Sequence, residues 1–152
     1  MELVGREDES KIFKQNLQAT ESKLIAVYGR RRVGKTFFIR QYFNGAIRFE
    51  VSGLFQGELT EQLEHFTKTI AKNGFYPATI ATPDTWLKAF DLLSLYLDSL
   101  TDKGKKVLFI DEMPWFDTPR SRFLTAFENF WNSYCTKRKG VYPIFTLSRI
   151  CA

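Results

Sequence analysis

Apolar residues along the 152-residue chain fall into four short runs and several longer stretches with helical spacing. Leu24-Ile25-Ala26-Val27-Tyr28 and Val107-Leu108-Phe109-Ile110 have the composition of buried strands. Ile47-Arg48-Phe49-Glu50-Val51 alternates apolar with polar, as a half-buried strand does. Tyr142-Pro143-Ile144-Phe145-Thr146-Leu147 has the content of a fourth strand, with a proline that suits a strand start better than a strand middle.

Between these runs the period changes. Residues 7 to about 19 read as a helix with Ile12, Phe13 and Leu17 inward, and Phe37 to Phe43 can continue as another. Residues 58–72 place Leu59, Leu63, Phe66 and Ile70 on one stripe, and Asn73-Gly74 is a C-terminal stop. After connecting chain over 75–82, Thr82-Pro83-Asp84 has the capping hydroxyl, early proline and early acid of a helix start. That helix runs to about residue 100 with Trp86, Phe90, Leu93, Leu97 and Leu100 at helical spacing, so the two make a helical hairpin between the second and third strands. Thr118-Pro119 opens a helix to about Thr136, whose aromatic face of Phe123, Phe127, Phe130, Trp131 and Tyr134 either packs on the sheet or stays open for a partner. The fold class predicted is α/β, a parallel sheet of about four strands flanked by helices.

Size and composition narrow this to one ordinary globular domain, with 44% hydrophobic and 26% charged residues. No apolar run reaches the roughly 18 residues of a membrane span, and the acidic N-terminus lacks a signal core. No membrane role and a cytoplasmic address are the expectation. Cys135 and Cys151 lack metal-ligand spacing and read as free thiols, which excludes a zinc centre. The single histidine, His65, reads as a helix-surface residue. Of the net charge of +5, Lys103, Lys105, Lys106, Lys137, Arg138 and Lys139 read as solvated loop charge before a nucleic-acid surface.

The candidate chemistry starts at Gly29-Arg30-Arg31-Arg32-Val33-Gly34-Lys35-Thr36, which matches G-x-x-x-x-G-K-[ST] between a strand and a helix. Glycines let backbone N–H groups turn inward on phosphate oxygens, and the helix that follows adds its positive N-terminal end. The candidate nucleotide contacts are Gly29, Arg30, Arg31, Arg32, Val33, Gly34, Lys35 and Thr36, with Phe37 next in the helix. Lys35 would carry charge to the β- and γ-phosphates, and Thr36 would ligate magnesium. The three arginines either contact phosphate or face solvent.

The run Val107 to Ile110 ends in Asp111 and Glu112, which a parallel sheet places at its ligand-binding end. Alternation sends the two side chains apart. Asp111 is therefore the candidate to hold magnesium with Thr36, and Glu112 the candidate to polarise an attacking water. The cofactors expected are ATP and Mg2+.

Several motifs in one order resemble the archaeal-type AAA/STAND-like P-loop ATPases, a group also abundant in bacteria. They are Gly5-Arg6-Glu7, Val27 to Thr36, Phe109-Ile110-Asp111-Glu112-Met113-Pro114-Trp115, Asp117-Thr118-Pro119-Arg120-Ser121 and Phe130-Trp131-Asn132. The resemblance covers about residues 1–140. It implies one P-loop ATPase domain of the ASCE type, with an opening helix over about 1–20, a nucleotide-binding core over 24–140 and a divergent tail over 141–152. It implies Gly5-Arg6-Glu7 near the adenine and a strand order of 5-1-4-3-2, in which residues 142–148 must fill the gap between the phosphate-loop and acidic strands. Family members continue into a sensor residue, a fifth strand and a lid, whereas this chain ends Ser148-Arg149-Ile150-Cys151-Ala152. The expectation is thus a domain incomplete at its C-terminus, Ser148 at most a displaced sensor, and Leu24 to Tyr28 an exposed apolar edge prone to pairing. The expected function is Mg-ATP binding, with hydrolysis coupled to conformational change in the complete form. The alternatives are a nucleotide switch or binding module with little turnover, an inactive fragment and, more distantly, a small kinase. A homo-oligomer, a partner protein or, for a longer form, DNA are the open partner classes.

Overall fold

A computed structural model describes residues 2–4, 13–14, 20–30, 34–102 and 104–149. Among these, β1 (Glu2–Val4), β2 (Ile25–Arg30), β3 (Ile47–Ser52), β4 (Lys106–Asp111) and β5 (Val141–Arg149) form one sheet. The order is β1-β2-β5-β4-β3, and every neighbouring pair is parallel. Four α-helices are described: α1 (Lys35–Tyr42), α2 (Leu59–Lys72), α3 (Trp86–Ser99) and α4 (Phe123–Ser133).

β5 lies between β2 and β4, so the segment that reads as a tail supplies the strand joining the two motif-bearing strands. Its register puts Ile144 beside Ile25 on one side and Phe109 on the other. Pro143 is inside β5, but pairing with β2 begins only at Ile144, so at the proline the strand has a neighbour on the β4 side alone. A residue without an N–H is tolerated there for that reason.

The strand count differs from the sequence reading. Glu2–Val4 pairs in parallel with Ile25–Val27, so the expected bare edge at Leu24 to Tyr28 is covered by the chain's own N-terminus. Three residues are too few to show a period, which is why the pattern gave no sign of this strand. The proposed helix over 7–19 lies mostly outside the described residues; within it Phe13 is helical and fully buried.

Alternation along the central strands divides the core in two. Val107, Phe109, Ile25, Val27, Tyr142 and Ile144 face α1 and Phe13. Leu108, Ile110, Ala26 and Phe145 face α2, α3 and α4. Phe66 of α2 sits at the centre of the second layer, with ring centroids 5.0 Å from Phe49, 5.2 Å from Trp86 and 5.3 Å from Phe90. The aromatic face of α4 packs inward: Phe123, Phe127 and Phe130 are buried.

Two helix starts fall later than the sequence suggests. α3 is capped by Thr85, whose hydroxyl accepts the Lys88 N–H at 3.2 Å, and not by Thr82. α4 begins at Phe123 and not at Thr118, because Arg120 and Arg122 are left-handed (φ 63° and 59°) and interrupt the helix that the proline would open. The Phe123 N–H is met instead by the Ser121 hydroxyl at 3.2 Å.

Removing the central ring would leave a void bounded by Phe49, Trp86, Phe90 and Phe116. Phe66→Ala should lower unfolding free energy by about 3–5 kcal/mol, read as a drop in the urea midpoint; a change near zero would show that the aromatic layer is not packed around this residue.

Candidate functional site

The site forms where β2, β4 and β5 end on one side of the sheet. Gly34, in the left-handed region at φ 80°, precedes α1, and its carbonyl accepts the Phe38 N–H at 3.0 Å. A residue with a β-carbon is strained there, which accounts for the glycine. Lys35 then turns back over the loop instead of out to solvent. It is only 6% exposed. Its ammonium donates to the carbonyls of Gly29 at 2.9 Å and Leu147 at 3.3 Å, and to the Ser148 hydroxyl at 3.1 Å. All three of its protons therefore have acceptors. Burial pulls the Lys35 ammonium below its ordinary value, while the nearby Glu112 and Asp111 carboxylates draw it back up.

Thr36 donates its hydroxyl to Asp111 Oδ2 at 3.0 Å, joining the first turn of α1 to the end of β4. The other oxygen of Asp111 accepts a hydrogen bond from Thr146 of β5. Thr146 is fully buried, and its hydroxyl oxygen in turn accepts the Glu112 N–H at 2.9 Å. Glu112 leaves the strand in a left-handed conformation, φ 51° and ψ 50°. Its carboxylate points to β5 and accepts from the Ser148 hydroxyl. The two acids thus diverge, Asp111 toward Thr36 and Glu112 toward Ser148 and Lys35.

The turn after Asp111 is held against the β3 loop. Gly53 N–H donates to the Asp111 carbonyl at 2.9 Å, and a β-carbon on Gly53 would lie 2.6 Å from the Glu112 carbonyl oxygen and 2.8 Å from Trp115 Cβ. Only glycine permits that approach. Fully buried Gln62 of α2 completes the joint: its amide accepts the Leu54 N–H at 2.9 Å and donates to the carbonyls of Leu54 at 2.7 Å and Trp115 at 3.1 Å. Two loops are thereby fixed by one satisfied buried amide.

The structure brings Lys35, Thr36, Asp111 and Glu112 together. Gly29 and Gly34 flank the lysine, and Phe37 is 65% exposed at the start of α1, pointing away from this network. Arg30 ends β2 beside Arg149, and its side chain, with Arg31, Arg32 and Val33, lies outside the described residues, as does Gly5-Arg6-Glu7. The sequence by itself assigns Thr146 no role and Ser148 only that of a displaced sensor. The available signal is small: two hydroxyl residues two positions apart, Thr146 and Ser148, at the end of a mostly apolar run. His65 is half-buried on α2, and among the described residues no group of three or more His, Cys, Asp or Glu side chains could hold a metal by itself. A Thr–Asp pair is instead the donor set of an ion that takes its remaining ligands from phosphate and water. Asp111 spends one lone pair on each hydroxyl and keeps others open, so the pair fits magnesium.

Against known proteins, no family model matches the chain and no curated sequence matches it. Among solved structures it is similar to a Walker-type ATPase of Pyrococcus abyssi, with a TM-score of 0.54 and 20% identity over 95% of this chain. The match spans 45% of that protein's length. The likeness is one of fold. This chain has the α/β fold of the P-loop nucleoside-triphosphatases, with parallel strands and flanking helices.

Thr146 is nearly isosteric with valine but bonds two groups at once. Thr146→Val should cost about 1–3 kcal/mol of stability, because the Glu112 N–H loses its acceptor. Chemical denaturation checks this, and an unchanged midpoint would mean that the β4 turn does not depend on β5.

Proposed function

We propose that this chain binds a magnesium–nucleoside triphosphate, ATP, at the sheet end described above, and that a complete form hydrolyses its β–γ bond. The observation that carries this reading is the convergence of Lys35, Thr36, Asp111 and Glu112 around one point, from two segments about 75 residues apart. An isolated glycine turn would not bring a strand-end carboxylate within hydrogen-bond distance of its own threonine.

In this reading the backbone from Gly29 to Thr36 donates to phosphate oxygens, and Arg30, Arg31 and Arg32 are further candidates for phosphate contact. Lys35 exchanges at least one of its neutral acceptors for a charged phosphate oxygen, a stronger partner in a partly buried site. Thr36 and Asp111 would hold magnesium, which supplies positive charge to the β- and γ-phosphate oxygens when bound. Glu112, once it leaves Ser148, accepts a hydrogen bond from the attacking water and takes its proton as the new P–O bond forms. The bridging bond breaks, and the electron pair leaves on the nucleoside diphosphate.

A second reading, a nucleotide-dependent switch with little turnover, is favoured by a separate observation. The Glu112 carboxylate and the Lys35 ammonium are both engaged by Ser148, so both are occupied before any nucleotide arrives. Binding must break these bonds, which links occupancy to the position of β5. The two readings separate on rate alone.

Lys35→Ala should weaken binding of labelled ATP by about a hundredfold or more, close to 3 kcal/mol; unchanged affinity would remove the site. Glu112→Gln should retain ATP while slowing phosphate release by about 10²–10⁴-fold. If the unsubstituted chain binds ATP, shifts its melting temperature and releases no phosphate, the switch reading holds and the hydrolytic one fails.

A further inference from the structure

A pocket of about 310 Å³ opens among the first residues of α2, α3 and α4, lined by none of the residues of the phosphate-loop site. From the side chains around it, we infer that it is a second anion site, built for a small carboxylate or phosphomonoester with a short apolar body. This inference does not rest on the nucleotide reading.

Charge is the first reason. Arg120 and Arg122 both line the pocket, both are exposed, and among the described residues neither has an ion-pair partner. The acid that lines the same pocket, Asp84, is taken by the Lys88 ammonium at 2.9 Å. Two guanidinium forks therefore face the opening without a counter-charge, and a guanidinium matches the planar pair of oxygens on a carboxylate or phosphate.

Hydrogen-bonding capacity is the second reason. The hydroxyl oxygens of Thr85 and Ser121 already accept backbone N–H groups, from Lys88 and Phe123, both at 3.2 Å. What these hydroxyls still have to offer the pocket is a proton each, and Thr125 adds a third hydroxyl. Against these donors stands one carboxylate, Asp84, with one oxygen already on Lys88, so donors outnumber acceptors in the lining and favour a ligand that only accepts. Leu59 and Leu87 supply apolar wall, so a ligand with a few carbons fits better than a bare ion.

The backbone points the same way. Arg120 and Arg122 both occupy the left-handed region, where a residue with a β-carbon costs stability and glycine would not. Strain of this kind persists where the surroundings impose it, and it accumulates at ligand sites. Here it sets two arginines on either side of buried Ser121 at the start of α4, whose positive end adds to the same field.

The test is a titration of inorganic phosphate and, separately, of butyrate into the Lys35→Ala chain, followed by the amide NMR signals of Leu87, Ser121 and Thr125. That background removes the lysine of the other site, so phosphate held there is not counted. Saturable shifts at these three amides are expected for at least one probe. Phosphate alone saturating assigns a phosphomonoester, and butyrate alone a carboxylate. The double variant Arg120→Gly with Arg122→Gly should weaken binding at least roughly tenfold; should it not fold, Arg120→Gln with Arg122→Gln makes the same test with the β-carbons kept. Shifts that stay linear for both probes, shifts confined to residues 29–36, or affinity unchanged in the folded double variant would each overturn the site.

Discussion

A single carboxylate ties the three working parts of this protein together. Asp111 accepts one hydroxyl from Thr36, at the start of the helix after the glycine-bounded loop, and another from Thr146, on the strand between. Neither bond joins near neighbours in sequence. Each spans a sheet position, so the site exists only while β2, β5 and β4 are in register. The parallel ladder supplies that register, and the alternation of buried side chains along it resists a one-residue slip, which would turn Thr146 away from Asp111.

The same strand governs the second acid. Ser148 lies two residues beyond Thr146, on the same face of β5, and meets both Lys35 and Glu112. A hydroxyl suits this place because it donates to a carboxylate and accepts from an ammonium at once. The ion pair that Lys35 and Glu112 would otherwise seek is thereby mediated, and both groups stay close to the point where a phosphate would sit. Burial has a cost here: the ammonium is partly desolvated, and its attraction to the two carboxylates offsets only part of that cost.

Rigidity comes from the opposite layer. The joint of Gly53, Gln62 and Trp115 fixes the turn after Asp111, and Gln62 lies one turn before Phe66 on the same buried face of α2, the face that enters the aromatic core. The packing of α2, α3 and α4 thus reaches the site through a buried amide. The same three helices begin on the side of the sheet where the strands end, so their first turns leave a donor-rich pocket beside a site that is itself rich in donors.

Much of this was legible in the residues themselves. The glycine-bounded loop with Lys35 and Thr36, the apolar run ending at Asp111 and Glu112, the stripe of Leu63, Phe66 and Ile70, and the aromatic face of α4 follow from local rules of period and spacing, which act over a few residues. What needed the tertiary structure was everything that depends on which distant segments meet. Three residues at the N-terminus become an edge strand because β2 has an open side. The strand over 141–149 lies where the family resemblance puts it, between β2 and β4, but its register with each neighbour is set only by packing. Thr146 and Ser148 are ordinary residues until β5 lies beside β4, when alternation aims both at the acids. Local sequence sets what each element is and where its polar groups fall along it; only packing decides which of those groups share a hydrogen bond, because that depends on distances between segments that no local pattern encodes.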